Sequence, residues 1–448
     1  MHKPDAARSP LPLADEYSNL HYVGVELAKG GQGVVFRTMD ADLAIKQPLD
    51  ASGQPDKNAD LRGRFQSIRL LPMPHRIRVS LPLAILRDEP GYVMRLLNEM
   101  HPFSTFDMDG RTKKALEEHE PGLPDWLTAI PDKDMAFRLC HYADTGSTRR
   151  RLLALSKCAS ILARLHNVGL VYGDISQNNA FMGSDASREV WLIDADNLRF
   201  ELPSGGASVY TPGYGAPEVV QGHDQSRPRT DCWSFAVMAF KVLALCHPFI
   251  GKKVLDPDDD DAGWDAEPVA DGAPADLDEQ AYAGYFAFID DNEDDSNRGV
   301  GGLPRSLVTT PGLRVLFQET FGAGRETPHR RPAMAFWALE LTRAFDVSVD
   351  CPECRMSFFA DDHSECPYCS APRRAFIRAI TPRWEIVIPS DAEQFDLPHR
   401  LFHPFSFEQN DDTEHEANFN VVEKTARPVR GTKPFPDNLA FEFVEAGR

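Results

Sequence analysis

The sequence predicts an α+β protein of two lobes, strand-rich then helical, followed by a small cysteine-bearing module and a β-rich tail. Three observations carry that reading: short strand-like runs gathered between residues 21 and 100, a long amphipathic helical pattern at 148–166, and two cysteine pairs at 351–369. At 448 residues the chain exceeds one small domain and has room for a sizeable core.

Residues 1–20, rich in Pro and Ala, read as a flexible leader. VGVEL, GVVFRTM, DLAIKQP, LPLAIL and GYVMRLL, separated by turn residues, then fill a first lobe over residues 21–100. Residues 101–346 form the second lobe. Within it Leu152, Leu155, Cys158, Ala159, Leu162 and Leu165 recur at spacings of three and four, the mark of one apolar helix face, with Ser147 as its N-cap. The cysteine module spans 347–372. Strand-like alternation in WEIVIP, RLFHPFSFEQ, FNVVEK and LAFEFVE predicts a β-rich segment over 373–448.

Charge excludes several classes. With 48 Lys and Arg against 68 Asp and Glu, the net charge is -20, which argues against nucleic-acid or anionic-membrane binding. Sixteen of the acids, with no Lys or Arg among them, lie between Val254 and Asn297, so the rest of the chain carries only -4. Such a segment reads as a solvated, partly disordered insertion, although AYAGYFAFI within it is apolar enough to dock on the helical lobe. The most apolar stretch, Trp233 to Ile250, is interrupted by Lys241, His247 and Pro248 and fits a core helix rather than a membrane span. The absence of a secretory pattern in the first residues, with Cys140, Cys158, Cys232 and Cys246 in apolar surroundings, predicts a cytoplasmic protein.

The chemistry-bearing residues begin at KGGQGVVFR. Gly30, Gly31 and Gly33 allow backbone to approach a triphosphate closely, and Val35 is placed to pack on an adenine ring. A glycine-rich hairpin alone is a common turn, but LAIK follows one strand later, and Lys46 on it can reach the α- and β-phosphates of ATP. In YGDISQNN, Asp174 can orient a substrate hydroxyl and accept its proton, while Asn179 supplies an amide oxygen to Mg²⁺. WLIDADN ends an apolar run on Asp194, a second candidate Mg²⁺ ligand.

Cys351, Cys354, Cys366 and Cys369 form two C-x2-C knuckles, the spacing of a tetrahedral Zn²⁺ site. Four thiolates leave no open position, so the zinc is structural. The module is too small for its own core, which makes the metal its expected source of folding energy.

These fragments, in this order, resemble a eukaryotic-like serine/threonine protein kinase domain over residues 21–345. The resemblance implies a bilobal kinase-like fold, with KGGQGVVF as the glycine-rich loop, Asp174 as catalytic base, DAD as the metal motif and APE (Ala216 to Glu218) ending the activation segment. It further implies that Asp231 anchors the catalytic loop, that Arg331 pairs with Glu218, and that Thr211 marks a Ser/Thr acceptor. Three departures stand out. Gly173 replaces the arginine of the HRD motif, which implies activity without activation-loop phosphorylation; Ser176 replaces the catalytic-loop lysine; and no glutamate occurs between Glu26 and Glu89 to pair with Lys46, leaving Asp60 or Gln66 as candidates. With its trailing ribbon the chain resembles an atypical bacterial subgroup, which implies protein substrates and, by association, a metal-dependent protein phosphatase and a von Willebrand A-type protein. The departures also fit an alternative, a nucleotide-binding pseudokinase scaffold that binds partners through ribbon and tail.

Overall fold

The structure is a computed structural model that describes residues 12–30, 33–57, 59–118, 123–184, 187–201, 209–256, 274, 276–299, 301–361 and 363–447. Gly31 and most of the acidic insertion, residues 257–273 and 275, lie outside them.

In the first lobe the alternating runs pair into a five-stranded antiparallel sheet, in the order Val23–Gly30, Gly33–Thr38, Leu43–Gln47, Tyr92–Arg95, Pro82–Ile85. Because side chains alternate across a strand, register decides which residues share a face. Val35 lies opposite Lys46, and Lys46 opposite Tyr92, so these three form one row on one face. The other face buries Ile45, Val93, Ala84 and Leu86 beneath Leu13, Val23 and Leu43.

Residues 12–20 differ from the expected flexible leader. Leu13–Ala14 pairs with Leu20–His21, and Asp15, buried, accepts from Asn19 and meets His21 at 3.0 Å. Glu16 contacts Arg69 and accepts from the Ile85 backbone at 3.0 Å, which ties this hairpin to the sheet. The helix Ala59–Arg69 packs Phe65 and Ile68 inward, with the Phe65 ring 4.7 Å from that of Tyr92.

The second lobe is built on the helix Ser147–Asn167, whose apolar stripe at Leu152, Leu155, Cys158, Ala159, Leu162 and Leu165 is wholly buried. It packs against the helices Met334–Asp346 and Pro228–Ala244. The expected N-cap at Ser147 is not made: Ser147 is the first helical residue, at φ +53°, and Gly146 caps it without a side-chain bond. Ser147 Oγ instead accepts from the Ser357 backbone at 2.8 Å, because the cysteine module presses on this helix end. The apolar piece of the insertion docks as expected, with Phe288 buried 5.4 Å from Phe240 and 5.1 Å from Phe321.

The cysteine module is a two-stranded hairpin, Ser348–Asp350 with Ser357–Phe359, followed by the second knuckle. Met356, Phe358 and Phe359 are buried in the same apolar cluster as the helical lobe. Packing on the larger domain therefore supplements any metal as a source of its folding energy, unlike the metal-only expectation. The tail forms two three-stranded antiparallel sheets around Ile377, Trp384, Ile386, Leu397, Leu401 and Phe419. RLFHPFSFEQ is a correction: its start is the helical turn His399–Phe402, and the chain then turns rather than extending. Its alternation is broken by Pro404, and the strands missed at Phe376–Ile380 and Gln394–Pro398 carry the pairing instead. Asp346, Arg400 and Trp384 join the tail to the helical lobe: both Arg400 bonds to Asp346 are 2.6 Å, and Trp384 Nε1 donates to Asp346 at 2.7 Å. No helix among the described residues is long and apolar enough to cross a membrane.

Candidate active site

The cleft between the lobes collects side chains from four separate segments. Lys46 comes from the central strand of the sheet and is 5% exposed, so its ammonium is held away from water and needs anionic partners. It finds two, donating to Asp194 Oδ1 and, at 2.7 Å, to Asp196 Oδ2. Those carboxylates raise the Lys46 pKa against the opposing effect of burial. Asp194 follows the strand Val190–Leu192 and adopts φ +58°, a left-handed conformation that costs a β-carbon-bearing residue roughly 1–3 kcal/mol. Its burial pushes the carboxyl up to about 6, with Lys46 opposing and Asp196 adding to the rise; in Asp196 burial acts in the same direction but is outweighed by Lys46 and Tyr92.

Lys46 does not use Gln66, which is exposed, and the side chain of Asp60 is outside what the structure describes. The partner is Asp196, which with Ala195 replaces the Gly and Phe of the Asp-Phe-Gly metal motif usual in protein kinases. Its other oxygen accepts from Tyr92 Oη at 2.8 Å, and its backbone oxygen accepts from Arg64 Nε at 2.7 Å. From sequence Asp196 is marked only as an acid standing where the kinase metal motif has glycine, with no role given to it, and Tyr92 and Arg64 are not singled out at all.

On the other side of the cleft, Asp174 is 4% exposed. Asn179 Nδ2 donates to its backbone oxygen at 2.8 Å and its carboxylate at 3.1 Å, and Thr211 Oγ1 donates to Oδ1 at 2.7 Å. Burial pushes the carboxyl up, and these two hydrogen bonds pull it back. The loop that carries Asp174 is fixed from below by Asp231, which accepts from the Tyr172 backbone at 2.8 Å and the Gly173 backbone at 2.9 Å. Gly173 sits at φ +82°, where a side chain would be strained. Ser176 is buried beside it, so no cation occupies that position.

The donor set fits the groups that the sequence implied. With its amide nitrogen turned to Asp174, Asn179 keeps its carbonyl oxygen for a cation, and with Asp194 this makes a hard oxygen set suited to Mg²⁺. Gly33 lies where a β-carbon would come within 2.8 Å of the Gln47 carbonyl, so the turn at the end of the sheet requires glycine. Gly30 ends the preceding strand, and Val35 shares the Lys46 face.

The four cysteines also converge. Cys351 and Cys369 Sγ are 3.6 Å apart, Cys354 and Cys366 Sγ 3.5 Å, and all four sulfurs lie within 4.8 Å of one another. Those separations are too long for disulfides and close to the roughly 3.8 Å edge of a tetrahedron with Zn–S bonds of about 2.3 Å. Each knuckle turns alike, with Arg355 at φ +61° and Ser370 at φ +59°.

Activation-segment geometry completes the class. Glu218 receives Arg331 Nη1 and Nη2 at 2.7 and 2.8 Å, a forked pair beneath the segment carrying Thr211. A strand-rich lobe with a lysine, a helical lobe with a loop aspartate and a strand-end aspartate, and this pair together make the arrangement that the resemblance to a protein kinase domain implies. Residues 133–262 match the protein kinase domain family. Protein kinase YegI of Escherichia coli O157:H7 is 27% identical over 248 residues, covering 52% of this chain and 34% of that protein. Serine/threonine-protein kinase PknL of Mycobacterium bovis is 25% identical over 285 residues, 61% of each chain. Serine/threonine-protein kinase kin-29 of Caenorhabditis briggsae is 26% identical over 137 residues, 28% of this chain and 17% of that one. The match to the protein kinase domain family thus lies within the helical lobe, and the chain covers less than two thirds of the length of each of these relatives.

Proposed function

We propose that this protein is an ATP- and Mg²⁺-dependent kinase that transfers the γ-phosphate to Ser or Thr hydroxyls of proteins, in bacterial phosphosignalling. The observation that carries the reading is the buried Asp174 carboxylate, bonded to both Asn179 and Thr211 across the cleft from Lys46. Asp174 orients the acceptor hydroxyl and takes its proton as the oxygen attacks the γ-phosphorus and the bond from that phosphorus to the β,γ-bridging oxygen breaks, releasing ADP; burial raises its basicity for that step. Lys46 holds the α- and β-phosphates, the glycine turn covers the triphosphate, and Val35 packs on the base. Asn179 and Asp194 hold the magnesium, which when bound neutralises charge on the β- and γ-phosphates. Thr211, beside the base, favours a Ser or Thr acceptor. The four-cysteine cluster holds structural zinc. A metal-dependent phosphatase and a von Willebrand A-type protein are proposed partners, on resemblance alone.

Buried Ser176, in place of a lysine, favours a second reading as a nucleotide-binding pseudokinase scaffold. Transfer of label from γ-labelled ATP, read by mass spectrometry against an Asp174→Ala control, decides between them. Transfer above that control supports the kinase; binding of MgATP without transfer, alone or with partners, establishes the scaffold.

A further inference from the structure

A kinase lysine needs a carboxylate that stays with it when the neighbouring metal-binding aspartate turns to magnesium, and the helix packed on this sheet supplies no glutamate. We infer that Asp196 is the positioning residue for Lys46, with Tyr92 as its support, and that the helix Ala59–Arg69 acts on this pair through the Arg64 guanidinium. The inference rests on the kinase reading and deepens it.

Three observations converge. First, Lys46 and Tyr92 are directly opposed in the sheet, so both side chains leave the same face, and they meet one carboxylate, each taking a different oxygen of Asp196 at 2.7 and 2.8 Å. Tyr92 is fully buried and its ring is packed against Phe65 of the helix, which holds that hydroxyl in place. Second, Asp196 lies in the short turn Ala195–Asn197, and Arg64 of the helix grips that turn, donating to the Asp196 backbone oxygen and to Asn197 Oδ1, both at 2.7 Å. Third, Lys46 touches Asp194 as well. One ammonium between two carboxylates can give up Asp194 to a cation while Asp196 keeps it aimed into the cleft.

The arrangement has a regulatory consequence. A lysine held from the helix is released when the helix swings out, whereas Asp196 is two residues from the metal ligand and cannot part from it. Helix position is instead communicated to the turn through Arg64.

The test uses the full-length protein in three measurements. Lys46 labelling by an N-hydroxysuccinimide ester, without nucleotide, is followed by peptide mass spectrometry; KM and kcat for MgATP are measured with Mg²⁺ varied; and melting temperature monitors folding. Asp196→Asn keeps the shape and the tyrosine contact but removes the charge. It should speed Lys46 labelling severalfold and lower kcat/KM by roughly ten- to a hundredfold, the range for one charge-assisted hydrogen bond, with the Mg²⁺ requirement unchanged. Asp196→Glu should recover part of the loss, and Tyr92→Phe should show a smaller loss of the same kind. Unchanged labelling and kinetics in Asp196→Asn overturn the inference, as does a raised Mg²⁺ requirement with unchanged labelling, which would make Asp196 a metal ligand. If the parent protein transfers no phosphate while Asp196→Asn still exposes Lys46, the kinase reading fails and the Lys46 anchor stands.

Discussion

His166, near the end of the central helix, should remain protonated well into alkaline conditions. Burial by itself would drive its pKa down, but the bond to Asp231 at 3.0 Å and the contact with Cys232 reverse this and raise it from 6.5 to about 9. A pKa raised in the folded state marks a group that stabilises the fold in its charged form. The contribution is complete below the unfolded value of about 6.5 and disappears as pH rises through about 9. The difference corresponds to about 3 kcal/mol of preference for the imidazolium, using roughly 1.4 kcal/mol for each tenfold change in proton affinity. Asp231 also holds the Tyr172 and Gly173 amides, so the same loss should loosen the Asp174 loop. Histidine C2 hydrogen exchange read by mass spectrometry gives the midpoint directly, and Asp231→Asn should lower it markedly because burial would then be opposed only by the contact with Cys232. A midpoint near 6.5 in the parent, insensitive to Asp231→Asn, would refute the reasoning.

Other perturbations test the remaining contacts. Elemental analysis should find one zinc per chain, and replacing Cys354 with Ser should remove it and lower the melting temperature without unfolding the helical lobe, since the module is packed against that lobe; an unchanged metal content excludes the site. Arg331→Met leaves Glu218 without its forked partner and should cost about 3–5 kcal/mol in urea unfolding; a loss below about 1 kcal/mol would show that water replaces the pair. Arg400→Met should leave the Asp346 carboxylate without its cation, held by the Trp384 indole alone, and loosen the tail, seen as faster protease cleavage within residues 373–447, and an unaltered digestion pattern would contradict that role.

Short-range patterns in the chain are legible where one local rule governs them. The five strands of the first lobe follow from alternation bounded by turn residues, and the stripe on the Ser147–Asn167 helix follows from its period. Local rules fail where a distant segment competes. Ser147 has the chemistry of a cap but is drawn to the Ser357 backbone, 210 residues away. Residues 12–20 lack a pattern of their own, yet Asp15 and Glu16 find partners in and beside the sheet. In the tail, alternation in RLFHPFSFEQ misleads because Pro404 forbids continued pairing.

The candidate site divides the same way. Sequence by itself determined the inventory and order of Lys46, Asp174, Asn179, Asp194 and the four cysteines, because each belongs to a motif whose spacing is local. It also exposed the missing glutamate as a vacancy in the helix. Only the tertiary structure decided what fills that vacancy, since the Lys46–Asp196 contact spans 150 residues and depends on strand register, on Tyr92 opposite, and on Arg64 gripping the turn. A buried ammonium must be neutralised, but which carboxylate does so is set by folding geometry rather than by nearness along the chain.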